Sequence, residues 1–245
     1  MFLNARVPTL KTLDVSKNNL KTLGSLATLT NLKTLHCEDN KLSAGSLVQA
    51  TKLSKLQNLY CGGNQLGRPP EAHPAGQAID PLPALPVSLK IVICDRNLLG
   101  SVPRSIFSSG LVKLEKLDLS NNQLAAISVE ISTLKALTDL NLDSNMIVSL
   151  PDSIGLLSKL KALSLKGNKI SVHTTSFSAK NPQPLPASLF SQTPLIDLNL
   201  HGNPLTSTQL NQFEGFSSFL DRREKVKTKD LFGGAMTSYD VCGLE

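Results

Sequence analysis

The chain has 245 residues, carries a net charge of +6 from 25 Lys or Arg against 19 Asp or Glu, and contains 4 % aromatic residues and no Trp. No run approaches the roughly 18 apolar residues of a membrane span and the opening residues lack an apolar signal core, so stable membrane insertion is excluded and a soluble, cytoplasmic chain is expected. The four cysteines, Cys37, Cys61, Cys94 and Cys242, have neither the count nor the spacing of a disulfide framework, which favours a reducing compartment.

Residues 1–9 form a short lead. Phe2, Leu3 and Val7 offer only a minimal cover for a first apolar layer, so this end is expected to be the weaker one. From residue 10 to 205 one pattern recurs. Its clearest copy, Leu114 to Leu124, is LEKLDLSNNQL, or L-x-x-L-x-L-x-x-N-x-L, the signature of a leucine-rich repeat. Three leucines alternate along a short strand, then the chain turns at an Asn whose amide can pair with backbone groups of the irregular turn. The copies are indexed by Asn18, Asn40, Asn64, Asn97, Asn122, Asn145, Asn168 and Asn203, at spacings of 22, 24, 33, 25, 23, 23 and 35 residues. Periods near 23 leave room for a strand and an extended or 3-10 return, not a long helix. Val102-Pro103-Arg104-Ser105-Ile106 and Leu150-Pro151-Asp152-Ser153-Ile154 place Pro in that return, where no ladder N–H is needed.

The two long spacings hold inserts near 67–86, with six Pro in twenty residues, and near 171–194. Both rejoin the repeat through a common phrase, Leu85-Pro86-Val87-Ser88-Leu89 and Leu185-Pro186-Ala187-Ser188-Leu189, so the excess is looped out without breaking the stack. Residues 206–228 change character. Thr206 and Gln209 can form a capping box, and Leu210, Phe213, Ser217 and Leu220, with Phe216 and Phe219 beside them, suit a helix that covers the last repeat. Residues 229–245 show no periodicity and read as a flexible tail. The expected fold is an α/β repeat: a leucine-rich-repeat solenoid with a concave parallel β-sheet, an extended or 3-10 convex side and a C-terminal helical cap.

The repeats with their L-P-x-S-I return resemble the short intracellular class of leucine-rich repeats found in Ras-pathway scaffolds and phosphatase regulators. Over about residues 114–228 the likeness narrows. GNPLTSTQLNQFEGFSSFLDRREK and the stretch from Gln123 to Ser132 are similar to the family of leucine-rich-repeat-containing protein 57, where a last repeat runs into an E-G-aromatic cap and a basic tail. That resemblance implies partner binding and no defined activity. Its relatives begin Met-Gly, suited to lipid anchoring; this chain begins Met1-Phe2, so myristoylation is not carried over.

The residues give no hint of catalysis, cofactor or metal. The four His (36, 73, 173 and 201) are scattered without metal-ligand or triad spacing. Cys37, Cys61 and Cys94 take the third leucine position of repeats 2 to 4 and stack in adjacent layers, which invites a metal or redox reading; with no fourth ligand or His in register, they read first as small apolar thiols in the buried row. Gly62-Gly63 marks a turn and no phosphate-binding loop follows.

The third, fifth and seventh positions of the motif point onto the concave sheet surface. They bring Tyr60, Ile91 and Ile93 together where the fold does not bury them. The same columns carry Asp14, Glu38, Asp95, Asp118, Asp139, Asp143 and Asp197 against Lys116 and Lys166, an acidic rim on a basic chain. An apolar centre with a charged rim has the composition of a protein-binding patch. The expected partner-binding residues are His36, Tyr60, Ile91, Ile93, Asp95, Asp118, Asp139 and Asp143. The other reading is that the proline-rich insert before repeat 4 folds back over Ile91 and Ile93.

An acidic groove repels phosphates, so no nucleic-acid partner is expected. The basic tail (Arg222, Arg223, Lys225, Lys227, Lys229) reads as a solvated end. The function expected is a non-catalytic scaffold or adaptor, monomeric on its own, that binds a protein on its concave face. The alternative is a regulatory or structural subunit of a larger assembly, such as a phosphatase or small-GTPase signalling complex.

Overall fold

A computed structural model describes residues 9–69, 80–172, 183–230 and 242–243, the side chains of 227–230 excepted. The chain divides into two compact units, Met1–Gln123 and Leu124–Glu245. Eight short strands follow chain order, and together with the returns between them they build a leucine-rich-repeat solenoid fold.

In the first unit β1 (Thr12–Asp14), β2 (Thr34–His36), β3 (Asn58–Tyr60), β4 (Ile91–Ile93) and β5 (Lys116–Asp118) pair in parallel. Each strand occupies the same three motif positions, so the register runs Thr34↔Asn58↔Ile91↔Lys116 and His36↔Tyr60↔Ile93↔Asp118. The central residue of each triplet points the other way. Leu35, Leu59, Val92 and Leu117 are fully buried, with Cys37, Cys61 and Cys94 in the next inward row. Each such leucine contributes roughly 1.5–3 kcal/mol by leaving water. The first layer is the exception: Leu13 in β1 is only half-buried, between exposed neighbours.

The turn that follows each strand has no regular ladder, and the Asn of the motif supplies what is missing. Asn64 Nδ2 donates to the carbonyls of Cys37 (3.0 Å), Cys61 (3.0 Å) and Gly62 (3.2 Å), while its Oδ1 accepts from the Leu42 amide at 3.0 Å. Asn122 repeats the pattern one repeat further on from Asn97. Each Asn therefore satisfies its own turn and fastens it to the preceding one, which is why a buried polar residue is tolerated there.

Three of the returns hold a single 3-10 turn, Val48–Lys52 in the first unit and Val129–Thr133 and Asp152–Leu156 in the second. Two differ from the extended or 3-10 expectation by closing one α-turn, α1 (Arg104–Ser108) and α2 (Ala187–Gln192), each directly after a Pro. Pro pre-sets the φ of a helix entry without losing a needed donor, so either helix type can start there.

The described end of the first insert packs on this outer side. Asp80 Oδ2 accepts from the Ser105 amide at 2.9 Å, and the Leu85 amide donates to Ser109 Oγ at 2.9 Å, with Leu82 and Leu85 buried. Residues 70–79 of this insert lie outside the described residues, as do 1–8 of the lead and 173–182 of the second insert, with His73 and His173.

The second unit holds β6 (Asp139–Asn141), β7 (Ala162–Ser164) and β8 (Asp197–Asn199), again parallel and in register. Its cap departs from the single helix expected. α3 (Ser207–Leu210) opens with the capping box, Gln209 N–H to Thr206 Oγ1 and Thr206 N–H to Gln209 Oε1. It ends at once, and α4 (Phe216–Asp230) starts anew after Gly215. Gly215 has φ +81°, and a Cβ there would stand 3.0 Å from the Ala187 carbonyl oxygen. The break turns Phe216 and Phe219 onto Phe190 of α2, edge-to-face for Phe216 at 5.4 Å, and leaves Ser217 exposed, not on the inner face. Arg222 Nε then reaches back to the Leu195 carbonyl at 3.2 Å.

Of the segment read as a tail from 229, the structure describes residues 229–230 and 242–243. α4 continues to Asp230, and the buried Cys242 accepts from the Leu200 amide at 2.8 Å. Leu142 and Leu165 donate in the same way to Ser164 and Asn199, so Cys242 extends the ladder beyond β8. Among the described residues no helix is long and apolar enough to cross a membrane.

Candidate functional site: the strand face of the first unit

Six of the eight residues expected to bind a partner lie in the first unit, and its parallel register gathers them. Along the fifth-position row His36 stacks flat on Tyr60, with ring centroids 4.4 Å apart and planes 4° apart. Ile93 is the next residue in that row and Asp118 the one after. Ile91 sits beside them in the third-position row, between Asn58 and Lys116. His36 Nδ1 lies 3.0 Å from Glu38 Oε1, which fixes the ring that Tyr60 stacks against.

Tyr60, Ile91 and Ile93 are half-buried, not fully exposed, because side chains repeated every strand spacing of about 4.8 Å cover one another. The most exposed apolar side chains are elsewhere. Val48, Val87 (60 % exposed) and Val112 in this unit stand singly between the strands, as is common on protein surfaces.

The acidic rim is less bare than the sequence columns suggest. Arg96, in the turn after β4, donates from Nε to Asp95 Oδ2 at 2.7 Å and from Nη1 to Asp39 Oδ1 at 2.9 Å. Those two hydrogen bonds, to Asp95 first, raise the guanidinium pKa further. The bridge rests on Gly62-Gly63. A Cβ on Gly62 would come within 1.9 Å of Asp95 Oδ1, and one on Gly63, at φ +65°, within 2.1 Å of Asp39 Oδ1. The paired glycines of the third repeat are thus the seat of an Asp39–Arg96–Asp95 bridge. Neither Asp39 nor Arg96 was among the expected residues. Both occupy the eighth motif position at positive φ, a column that the three outward-facing rows leave out; adding that column is the signal that finds them.

Several rim carboxylates have local work. Asp118 Oδ1 accepts from the Ser120 amide at 2.9 Å, and Asp14 Oδ1 accepts from the Ser16 amide at 2.9 Å and the Ser16 hydroxyl at 2.7 Å. The side-chain bond from Ser16 and then its amide hold the exposed Asp14 carboxyl below its usual range. An Asp at the fifth position therefore serves its own turn first.

Asp139 and Asp143 belong to the second unit. Asp143 Oδ1 accepts from Ser164 Oγ at 2.5 Å and from the Lys166 amide at 2.7 Å, and Asp139 Oδ2 accepts from Thr138 Oγ1 at 2.5 Å. Around them that unit's rows hold Asn141, Ala162, Ser164 and Asn199, with no large apolar side chain. Among the described residues no group of three or more His, Cys, Asp or Glu could hold a metal ion.

Known proteins agree on the repeat. A leucine-rich-repeat family model matches residues 87–147, and a two-copy leucine-rich-repeat model matches residues 8–47. Human lumican is 32 % identical over 117 residues, a match covering 47 % of this chain and 31 % of lumican; bovine lumican is 31 % identical over 114 residues. The chain thus spans about a third of the length of these relatives.

Among solved structures, internalin C2 of Listeria monocytogenes is similar with a TM-score of 0.59 at 21 % identity, covering 85 % of this chain and 80 % of that one. A leucine-rich-repeat protein of Leptospira interrogans gives 0.60 at 23 % identity over 84 % of this chain and 53 % of that one. A chain of the octameric complex of latrophilin 3, Unc5D and the leucine-rich repeats of FLRT2 gives 0.62 at 22 % identity, covering 84 % and 58 %. At these identities the structural likeness speaks for the fold. Leucine-rich-repeat proteins as a group mediate protein–protein interaction.

Proposed function

We propose that this chain is a non-catalytic interaction module, a scaffold or adaptor of the cytoplasm, that binds a protein partner on the strand face of its first unit. The observation that carries the reading is the continuous row His36–Tyr60–Ile93 with Ile91 beside it. These large side chains face away from the leucine core; they pack on one another across neighbouring strands, as His36 does on Tyr60, but the motif leaves their identity open. An aromatic–aliphatic centre bordered by the Asp39–Arg96–Asp95 bridge and Asp118 has the make-up of an interface core with a polar rim. The described end of the proline-rich insert packs on the outer side, against α1, which favours this reading over a self-covered patch. The FLRT2 repeats, assembled with latrophilin 3 and Unc5D in the similar structure, give a precedent for the fold used this way. The finer kinship of residues 114–228 with the family of leucine-rich-repeat-containing protein 57 stays part of this proposal and supplies no activity.

A regulatory or structural subunit of a larger assembly would present the same surface, and only the identity of the partner separates the two. The test is affinity capture with mass spectrometry, comparing wild type with Tyr60→Asp/Ile93→Asp after both are shown to melt alike. Selective loss of a captured protein supports the strand face as the binding surface. An unchanged set of captured proteins overturns it and moves the search to the inserts and the cap.

A further inference from the structure

Behind the strand face, in the inward row, Cys61 and Cys94 stand at the ends of neighbouring strands whose register is Tyr60↔Ile93. Both thiols are fully buried, and their sulfurs are 2.8 Å apart. Cys61 Sγ also lies 3.3 Å from the Ile93 carbonyl, so the Cys61 S–H can be directed to that carbonyl or to the Cys94 sulfur that faces it. Cys37, one strand back, is turned to the Tyr60 carbonyl at 3.3 Å and has no sulfur contact of this kind.

The geometry points to Cys61 and Cys94 as a dithiol that a hydroperoxide converts to an inter-repeat disulfide. Neighbouring parallel strands are about 4.8 Å apart, inside the roughly 4.4–6.8 Å window of Cα separations that a disulfide spans. The sulfurs need to close by only about 0.8 Å to reach the covalent distance of about 2.05 Å. The chemistry balances with peroxide as oxidant. One sulfur, as thiolate, attacks the O–O bond, becomes a sulfenic acid and releases water once the leaving oxygen is protonated. The second sulfur attacks the sulfenic sulfur and displaces its oxygen as a second water. Two thiols lose two electrons and two protons, and one hydroperoxide is reduced.

Hydrogen bonding with Cys94 and burial raise the Cys61 thiol above its ordinary range. Burial holds thiol reagents off in the native state, and the raised Cys61 thiol keeps the pair protonated there, so the thiolate that attacks peroxide forms during local opening. Because the bond would tie residues 33 apart across the proline-rich insert, it constrains the unfolded chain and fixes the two strands that carry Tyr60 and Ile93. This inference is independent of what the strand face binds.

The experiment uses the full wild-type chain, titrated with hydrogen peroxide, quenched and mapped as peptides without reduction. The expected product is a Cys61–Cys94 linked peptide, two hydrogens lighter than the separate thiol peptides, formed before any other pairing. The oxidised chain should melt roughly 5 °C higher than the reduced one, and dithiothreitol should reverse both changes. A Cys37→Ala/Cys242→Ala variant, which keeps only the pair, should behave as wild type does. Peroxide that yields sulfinic acids on Cys61 or Cys94, links to Cys242 first, or leaves both as thiols while Cys242 oxidises overturns the inference.

Discussion

The two units share one frame and fill it differently. In the first, the fifth-position row reads Asp14, His36, Tyr60, Ile93, Asp118; in the second it reads Asn141, Ser164, Asn199. Inside, both bury the same leucine rows and the same Asn ladder, as Asn64 and Asn168 show with their matched bonds to neighbouring turns. Outside, the first unit places rings and isoleucines, while the second places small polar groups that satisfy their own turns. A repeat fold leaves its outward positions free of the packing constraint, so what stands there reports on use more than on stability. The difference between the two faces is what the proposal of recognition on the first rests on.

The comparison can be broken at the frame. Asn97→Ala in the first unit and Asn168→Ala in the second each strip a buried turn of donors and acceptor together. Both should lose stability by a similar amount, about 2–4 kcal/mol, in urea unfolding. A tolerant second unit would mean that the frames are not equivalent.

A smaller difference separates the glycines that sit at the same motif position. Gly63→Ala and Gly167→Ala both force a side chain to φ +65°, but only the first Cβ meets an atom, Asp39 Oδ1 at 2.1 Å, whereas Gly167 has nothing nearer than 3.5 Å. Gly167→Ala should cost about 1 kcal/mol from backbone conformation, and Gly63→Ala measurably more, because Asp39 must let go of Arg96. Equal costs would show that the bridge adds no constraint, since an exposed pair is itself worth about 0–1 kcal/mol.

The smallest effect concerns Asp14. Its folded pKa is depressed by Ser16, so its contribution is present above the ordinary carboxylate value of 3.8 and is lost as pH falls through the lower folded value. Ser16→Ala should flatten that acid limb slightly and leave neutral-pH stability nearly unchanged, as followed by thermal melts across pH.

Much of the frame was legible in the chain itself. The motif places Leu117 between Lys116 and Asp118 and so fixes β5, and the same reasoning places all eight strands at matching positions. The capping box at Thr206 and Gln209 was equally plain, being a local rule between neighbours. What escaped is what depends on the third dimension. The cap breaks at Gly215 because the Ala187 backbone comes close, and no periodicity in the sequence of the cap reports that neighbour. The juxtaposition of Tyr60, Ile91 and Ile93 on the outward face of the candidate site was legible, because strand alternation governs it. It was not where a side chain chooses its partner: Arg96 reaches Asp39 across 57 residues, and Asp118 and Asp143 spend their oxygens on turn amides and a serine.

The measurement that goes most directly to the central claim is a matched pair of substitutions on the two faces. Tyr60→Asp/Ile93→Asp in the first unit and Ala162→Asp/Asn199→Asp in the second are compared for partner capture at equal melting temperature. The account predicts that the first pair loses the partner by at least about tenfold, the equivalent of 1.4 kcal/mol, while the second retains it. Loss on the second face alone, or equal loss on both, would contradict it.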